Sequence, residues 1–251
     1  MCHSNDSRPP ASPSSGKVAE HGSLELTSAD RTVFSAYEAT PATPNGMGVV
    51  ILPDVRGVHL YYQQLAQSFA EAGFRTVAID YYGRTAGVGE RDDDFAWGDH
   101  VEQVDVEQVA LDVAAAKGHL SRAAVGPTFT VGFCFGGSQS WRLSGKPELG
   151  LAGVIGFYGQ PKLVTDVVGD FAAPVLMLIA GDDVVTPQEE FDALEAQLQA
   201  AGASYEMHRY PGAPHSFFDR SFDGHADACA DAWNRILSFT QTQGARVPAT
   251  V

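Results

Sequence analysis

Three short stretches of this sequence carry side chains that could do chemistry together. The first is Val131-Gly132-Phe133-Cys134-Phe135-Gly136-Gly137, a thiol set between an apolar run, Thr128 to Val131, and a segment from Ser138 to Ser144 that can begin a helix. One residue at a strand-to-helix apex, with small residues two before and two after it, has the layout of a nucleophile elbow. The backbone at such an apex is strained, and side chains at Gly132 or Gly136 would strike the neighbouring strand and helix. The second stretch, Gly181-Asp182-Asp183-Val184-Val185-Thr186-Pro187, offers a carboxylate. The third, Pro211-Gly212-Ala213-Pro214-His215-Ser216-Phe217, offers an imidazole. A thiol needs a base to become a thiolate, and His215 can supply it. The imidazole needs a carboxylate to hold its tautomer and stabilise its cation. Of the two aspartates Asp183 is favoured, because it starts a turn into Pro187.

These stretches act together only if the fold brings them to one place. Leu24 to Tyr37 reads as a hairpin turning at Ser28-Ala29-Asp30. Continuous apolar runs at 48–52, 76–79, 128–133, 152–158 and 174–180 read as strands covered on both faces, and Tyr205 to Tyr210 as a last, alternating strand. Between them lie helical stripes: Tyr62, Leu65, Phe69 and Ala72; Val106, Val109, Val113, Ala116 and Leu120; Phe191, Leu194 and Leu198; Cys229, Trp233 and Ile236. Helices are expected at 138–144 and 188–201. This alternation predicts an α/β chain, with residues 21–251 forming one doubly wound, mostly parallel sheet with helices on both faces. Ligands in such sheets sit beyond the carboxyl ends of strands, and Cys134, Asp183 and His215 each follow one. Residues 1–20, polar and rich in Pro and Ser, read as a mobile tail, and Cys2 beside His3 is too small a set to hold a metal. The acidic stretch from Arg84 to Asp99 reads as a solvated loop, or else as a lid that brings Phe95 or Trp97 over a substrate.

Charge narrows the partners. The chain has 31 acidic and 16 basic residues, a net charge of −15, which repels nucleic acid and anionic membranes and sets both aside. An acidic substrate would need local arginines. The three cysteines, Cys2, Cys134 and Cys229, make no disulfide framework and fit a reducing compartment. The N-terminus lacks a signal-like apolar stretch and no run reaches membrane-spanning length, so a cytoplasmic protein is expected, monomer or homodimer. The eight histidines show no His-x-x-x-His or Cys-x-x-Cys spacing, so neither a metal nor another cofactor is implied.

From about Leu24 to Phe239 the sequence resembles the dienelactone hydrolase family, α/β-hydrolases with a cysteine nucleophile that open enol-lactone rings. The resemblance rests on Gly132 to Gly137, on Asp80-Tyr81-Tyr82-Gly83-Arg84, on Asp183 with Pro187, and on His215-Ser216-Phe217. It implies the α/β-hydrolase fold and a triad of Cys134, Asp183 and His215. It also implies a further acid that contacts the resting thiol and takes its proton when substrate arrives. Asp54 stands in that place, where the dienelactone enzymes carry glutamate. Arg84 matches a family arginine that binds the substrate carboxylate, and Arg220 falls one place beyond a second one, with Asp219 beside it. Tyr82 and Trp97 are the further candidates for shaping the substrate site. An oxyanion hole is expected from the backbone N–H groups of Phe135, at a helix start, and Val55, after Leu52.

The expected function is therefore hydrolysis of a small-molecule lactone or short ester through an acyl-enzyme on Cys134. Two alternatives stand beside it. One is a general carboxylesterase or thioesterase that never meets a dienelactone. The other is a ligand-binding protein that keeps a hydrolase pocket without turnover, against which an intact triad counts.

Overall fold

A computed structural model describes residues 3–123, 125–221 and 223–247, with the backbone alone at 223. In chain order the main elements are β1 (Val18–Thr27), β2 (Val33–Pro41), β3 (Gly48–Leu52), α1 (Leu60–Glu71), β4 (Arg75–Ile79), α2 (Gly83–Ala86), α3 (Gly98–Val101) and α4 (Val106–Ser121). They continue with β5 (Thr128–Phe133), α5 (Phe135–Arg142), β6 (Gly153–Phe157), β7 (Val175–Ala180), α6 (Gln188–Ala201), β8 (Tyr205–Tyr210) and α7 (Ala226–Gly244). The strands form one sheet in the order β1-β2-β4-β3-β5-β6-β7-β8. Only β1 with β2 and β2 with β4 pair antiparallel; the other pairs are parallel, as the apolar runs predict.

Alternate residues of one strand face opposite layers. Val49 and Ile51 join a core with Phe69 of α1 and Trp233 and Ile236 of α7, while Val50 and Leu52 join one with Val113 of α4, Trp141 of α5 and Leu194 of α6. Each such fully buried side chain contributes about 1.5–3 kcal/mol of transfer free energy, and the two covered faces leave no room for polar alternation. After β3 the chain goes outward to β4 and then returns to the other side of β3 as β5. This is a topological switch point, where the loops leaving β3 and β5 part and leave a crevice.

Three segments differ from expectation, the first being β1, which begins at Val18, inside the stretch read as tail and ahead of the hairpin start expected at Leu24. Helix α5 begins at Phe135, not Ser138, because the glycines that weaken its helical signal are imposed by packing described below. The Pro/Ser-rich tail is not loose: His3, Ser7, Pro9 and Pro10 are buried. Its backbone is paired to the body: Arg8 N–H donates to the Asp219 carboxylate at 3.0 Å, Arg220 N–H to the Arg8 carbonyl at 2.9 Å, and the Trp233 indole to the Pro10 carbonyl at 3.3 Å. These bonds offset the ordering entropy that composition alone predicts to win. Cys2 lies outside the described residues. The loop between α2 and α3 is solvated over 87–90 and 92–94, yet Arg91 is buried against Asp80 at 2.8 Å, and Phe95 covers the Arg91 guanidinium at 4.6 Å and stacks on His100.

Candidate active site

Cys134 links β5 to α5 with φ 54° and ψ −115°, a positive φ that only a constrained non-glycine residue keeps. The constraint is visible. Its N–H donates to the Phe157 carbonyl at 3.0 Å and its carbonyl accepts from Ser138 N–H at 3.1 Å. A Cβ on Gly132 would lie 1.9 Å from the Gly136 carbonyl oxygen, and one on Gly136 would lie 2.2 Å from those of Leu52 and Pro53. Helix and strand approach this closely only because both positions are glycine. The thiol is thereby fixed at the N-terminal end of α5, where unpaired N–H groups favour its anion.

His215, in the loop after β8, places Nδ1 2.8 Å from Asp183 Oδ2. Asp183 follows β7, its side chain is fully buried, and its other oxygen accepts from Val185 N–H at 2.8 Å, the turn into Pro187 that the sequence suggests. Asp182 is exposed. Burial alone would lower the His215 pKa, but its hydrogen bonds to Asp183 and Cys134 and the charges of both outweigh burial and raise it to about 9. A raised His215 pKa favours the imidazolium, whose charge beside Cys134 favours the anionic form of the thiol. Cys134, Asp183 and His215 are brought together.

Leu52 and Gly132 are register partners on adjacent parallel strands, so the loop holding Val55 and the start of α5 at Phe135 flank the same crevice. Two backbone N–H groups from these places suit a developing oxyanion. Tyr82 is fully buried and its hydroxyl donates to the Val55 carbonyl, while Phe95 packs on its ring at 5.1 Å. Tyr82 thus braces the Val55 loop. Tyr81 braces the other side, donating to the Pro53 carbonyl at 2.8 Å.

Asp54 is buried in the same loop. Its carboxylate accepts from Arg56 N–H at 2.9 Å and His3 N–H at 3.1 Å, and lies 3.8 Å from His59 Nε2. Burial would raise its pKa, but His59, His3 and the Arg56 N–H overcome that and lower it. Asp54 is thus held ionised.

Arg84, the expected contact for a substrate carboxylate, has protein partners in the structure. Its guanidinium is committed to protein carboxylates: Nη1 and Nη2 grip Asp112 at 2.8 and 2.9 Å, and Nε meets Asp30 at 2.9 Å. The fork ties α2 to α4 and to the β1–β2 turn and satisfies an Asp112 side chain only 1% exposed. Arg220 is exposed and lines a groove of about 410 Å³ with Pro10 and Trp233, between the N-terminal segment and α7. Trp97 stays 40% exposed at the start of α3.

Sequence reasoning passed over Tyr158. It follows β6 at φ 36°, its ring 4.9 Å from the His215 ring, and Gly156-Phe157-Tyr158-Gly159 at a strand's carboxyl end was the available signal. Among the described residues no group of three or more His, Cys, Asp or Glu side chains could hold a metal ion, and no helix is long and apolar enough to cross a membrane.

Comparison with known proteins bears on the family and the fold. Residues 34–244 match the model of the dienelactone hydrolase family. A Yersinia pestis protein named "putative carboxymethylenebutenolidase" is 30% identical over 231 residues, 85% of each chain. A Bradyrhizobium protein named "probable 2-oxo-3-(5-oxofuran-2-ylidene)propanoate lactonase" is 27% identical over 223 residues, 81% of this chain and 87% of that one. The crystal structure of a "putative dienelactone hydrolase" from Klebsiella pneumoniae superposes with a TM-score of 0.75 at 26% identity, covering 88% of this chain and 99% of the other. With the fold, the elbow and the matched span in agreement, the chain belongs to the dienelactone hydrolase family.

Proposed function

We propose that this chain, a carboxylic ester hydrolase by family, opens a lactone or cleaves a short ester through an acyl-enzyme on Cys134. The observation that carries the reading is the His215 imidazole, joined at once to Asp183 and to the Cys134 thiol. The carbonyl oxygen of the substrate points to the N–H groups of Phe135 and Val55. The Cys134 thiolate attacks the carbonyl carbon, and the electron pair moves to oxygen. When the tetrahedral adduct collapses, the C–O bond breaks and the departing alkoxide takes the proton from His215. In a lactone that alkoxide stays tethered to the acyl group. Water then gives a proton to His215 and attacks the thioester, and the thiolate leaves. Asp183 holds the imidazole tautomer throughout.

The substrate we infer is uncharged where it meets the protein. Arg84, Arg91 and Arg56 are each bound to a protein carboxylate, and the net charge of −15 disfavours an anion at long range. The name of the Bradyrhizobium relative describes an anionic enol-lactone, which supports ring-opening chemistry while favouring a second reading in which a substrate carboxylate is bound. Hydrolysis of a dienelactone and of a neutral butenolide or short ester, by wild type and Cys134→Ala, separates them. A strong preference for the neutral substrate is expected; a strong preference for the dienelactone establishes the second reading. Saturable binding with no product from any ester would overturn both and leave a binding protein. A reducing, cytoplasmic setting, which keeps Cys134 a thiol, completes the proposal.

A further inference from the structure

The N-terminal segment delivers one side chain into the wall of the active site. His3 is 1% exposed. Its ring stacks on Tyr61 at 3.7 Å between centroids and 9° between planes, and meets Tyr62 and Phe133 edge-on. The body grips its backbone from both sides: its N–H donates to Asp54 Oδ2 at 3.1 Å, and its carbonyl accepts from Arg56 Nη1 at 2.6 Å. Arg56 in turn pairs with Asp93 of the 87–97 loop, where Asn5 also bonds, so the segment and the loop are fastened at one point. The seat is built for this residue.

The ring nitrogens divide the work. Nδ1 faces the Asp219 carboxylate at 3.7 Å, and Nε2 lies 2.8 Å from the Tyr158 hydroxyl. Burial lowers the His3 pKa and so favours the neutral ring; Asp219, with His3 and Ser7 beside it and N–H groups of Arg8 and Ser221 donating to Oδ1, is held well below the usual carboxylate range despite burial. A proton on Nδ1, toward the anion, leaves Nε2 to accept from Tyr158 O–H. Tyr158 is the residue whose backbone is strained at φ 36° and whose ring lies against His215.

We propose that His3 is a positioning residue of the active site: its Nε2 fixes the Tyr158 hydroxyl, and through the Tyr158 ring the His215 imidazole, while its backbone N–H fixes Asp54. The inference rests on the Cys134 acyl-enzyme reading. A buried hydroxyl that loses its acceptor must reorient, and displacement of a catalytic group by about 1 Å costs roughly 10²-fold in rate.

The test is a set of variants in the full chain, assayed for kcat, KM and Tm on one short ester. His3→Phe keeps the stacking on Tyr61 and loses the acceptor; its kcat should fall roughly 10- to 100-fold with KM and Tm close to wild type. His3→Gln restores an acceptor and should recover kcat to within about 5-fold. His3→Ala should be as slow as His3→Phe, and imidazole added at pH 8 should raise its kcat. A His3→Phe enzyme within about 2-fold of wild type overturns the proposal, as does a His3→Gln enzyme no faster than His3→Phe, or a His3→Ala enzyme faster than wild type. Cys134→Ala is run beside them. If it turns over, the acyl-enzyme reading fails on that result alone, whatever the His3 variants do.

Discussion

Cys134 and Cys229 are both buried, at 6% and 4% exposure, and their surroundings differ in every other respect. Cys134 stands on a strained turn at the N-terminal end of α5, bonded to an imidazole that Asp183 holds. Cys229 lies in the first turns of α7, its thiol donating to the Phe217 carbonyl at 3.3 Å, and burial pushes its pKa up to about 11. Burial is therefore not what would set a nucleophilic thiol apart in this chain. The difference lies in a helix N-terminus, a proton acceptor and a carboxylate behind it.

The sharpest way to break this contrast is to exchange reactive and inert roles. Cys134→Ala should lower kcat by about 10⁴-fold or more while thermal unfolding stays cooperative; retained turnover would move the nucleophile elsewhere. Next in size, Asp183→Asn should lower kcat by roughly 10³- to 10⁴-fold at little cost in KM, because the imidazole loses its tautomer and its counter-charge. A smaller effect is read in stability against pH. The folded pKa of His215, about 9, lies above its ordinary 6.5, so the interaction stabilises the fold fully below about pH 6.5 and is lost as pH rises through 9. The denaturation midpoint of wild type should fall across that window by an amount equivalent to at most about 3 kcal/mol, and less in Cys134→Ala, which removes one of the two partners. Arg84→Gln gives a baseline outside both cysteine environments. It leaves the buried Asp112 without its fork, so about 2–3 kcal/mol of stability should be lost with kcat and KM nearly unchanged. A selective rise in KM for carboxylate substrates would return Arg84 to the substrate site. Smallest of all, Cys229→Ala should cost about 1 kcal/mol and leave turnover intact, as checked by urea unfolding and the same assay.

The convergence of Cys134, Asp183 and His215 was legible in the sequence because each of them follows its own strand. Glycine spacing marks the elbow, Asp183 sits in a turn signal, and continuous apolar runs fix the parallel strands that align their carboxyl ends. The partners of Arg84 were not legible, since Asp112 and Asp30 come beside it only once α4 and the β1–β2 turn have packed. Composition misled at the N-terminus. Pro and Ser at 9–15 describe a segment with little to bury, and nothing local reveals that Tyr61, Tyr158, Asp54 and Asp219 converge from four places to receive His3. Tyr158 was readable by the strand-end rule that found the triad, but a tyrosine in an apolar run looks like core until its φ is known.

The central claim is that the acyl group passes through Cys134. Rapid acid quench of wild type during turnover of an ester with a slow second step, followed by mass mapping of peptides, tests it directly. An adduct of the acyl mass on the peptide containing Cys134, absent from the one containing Cys229 and abolished in His215→Ala, is the predicted result. Full turnover with no adduct on Cys134, or an adduct at another residue, would contradict the account.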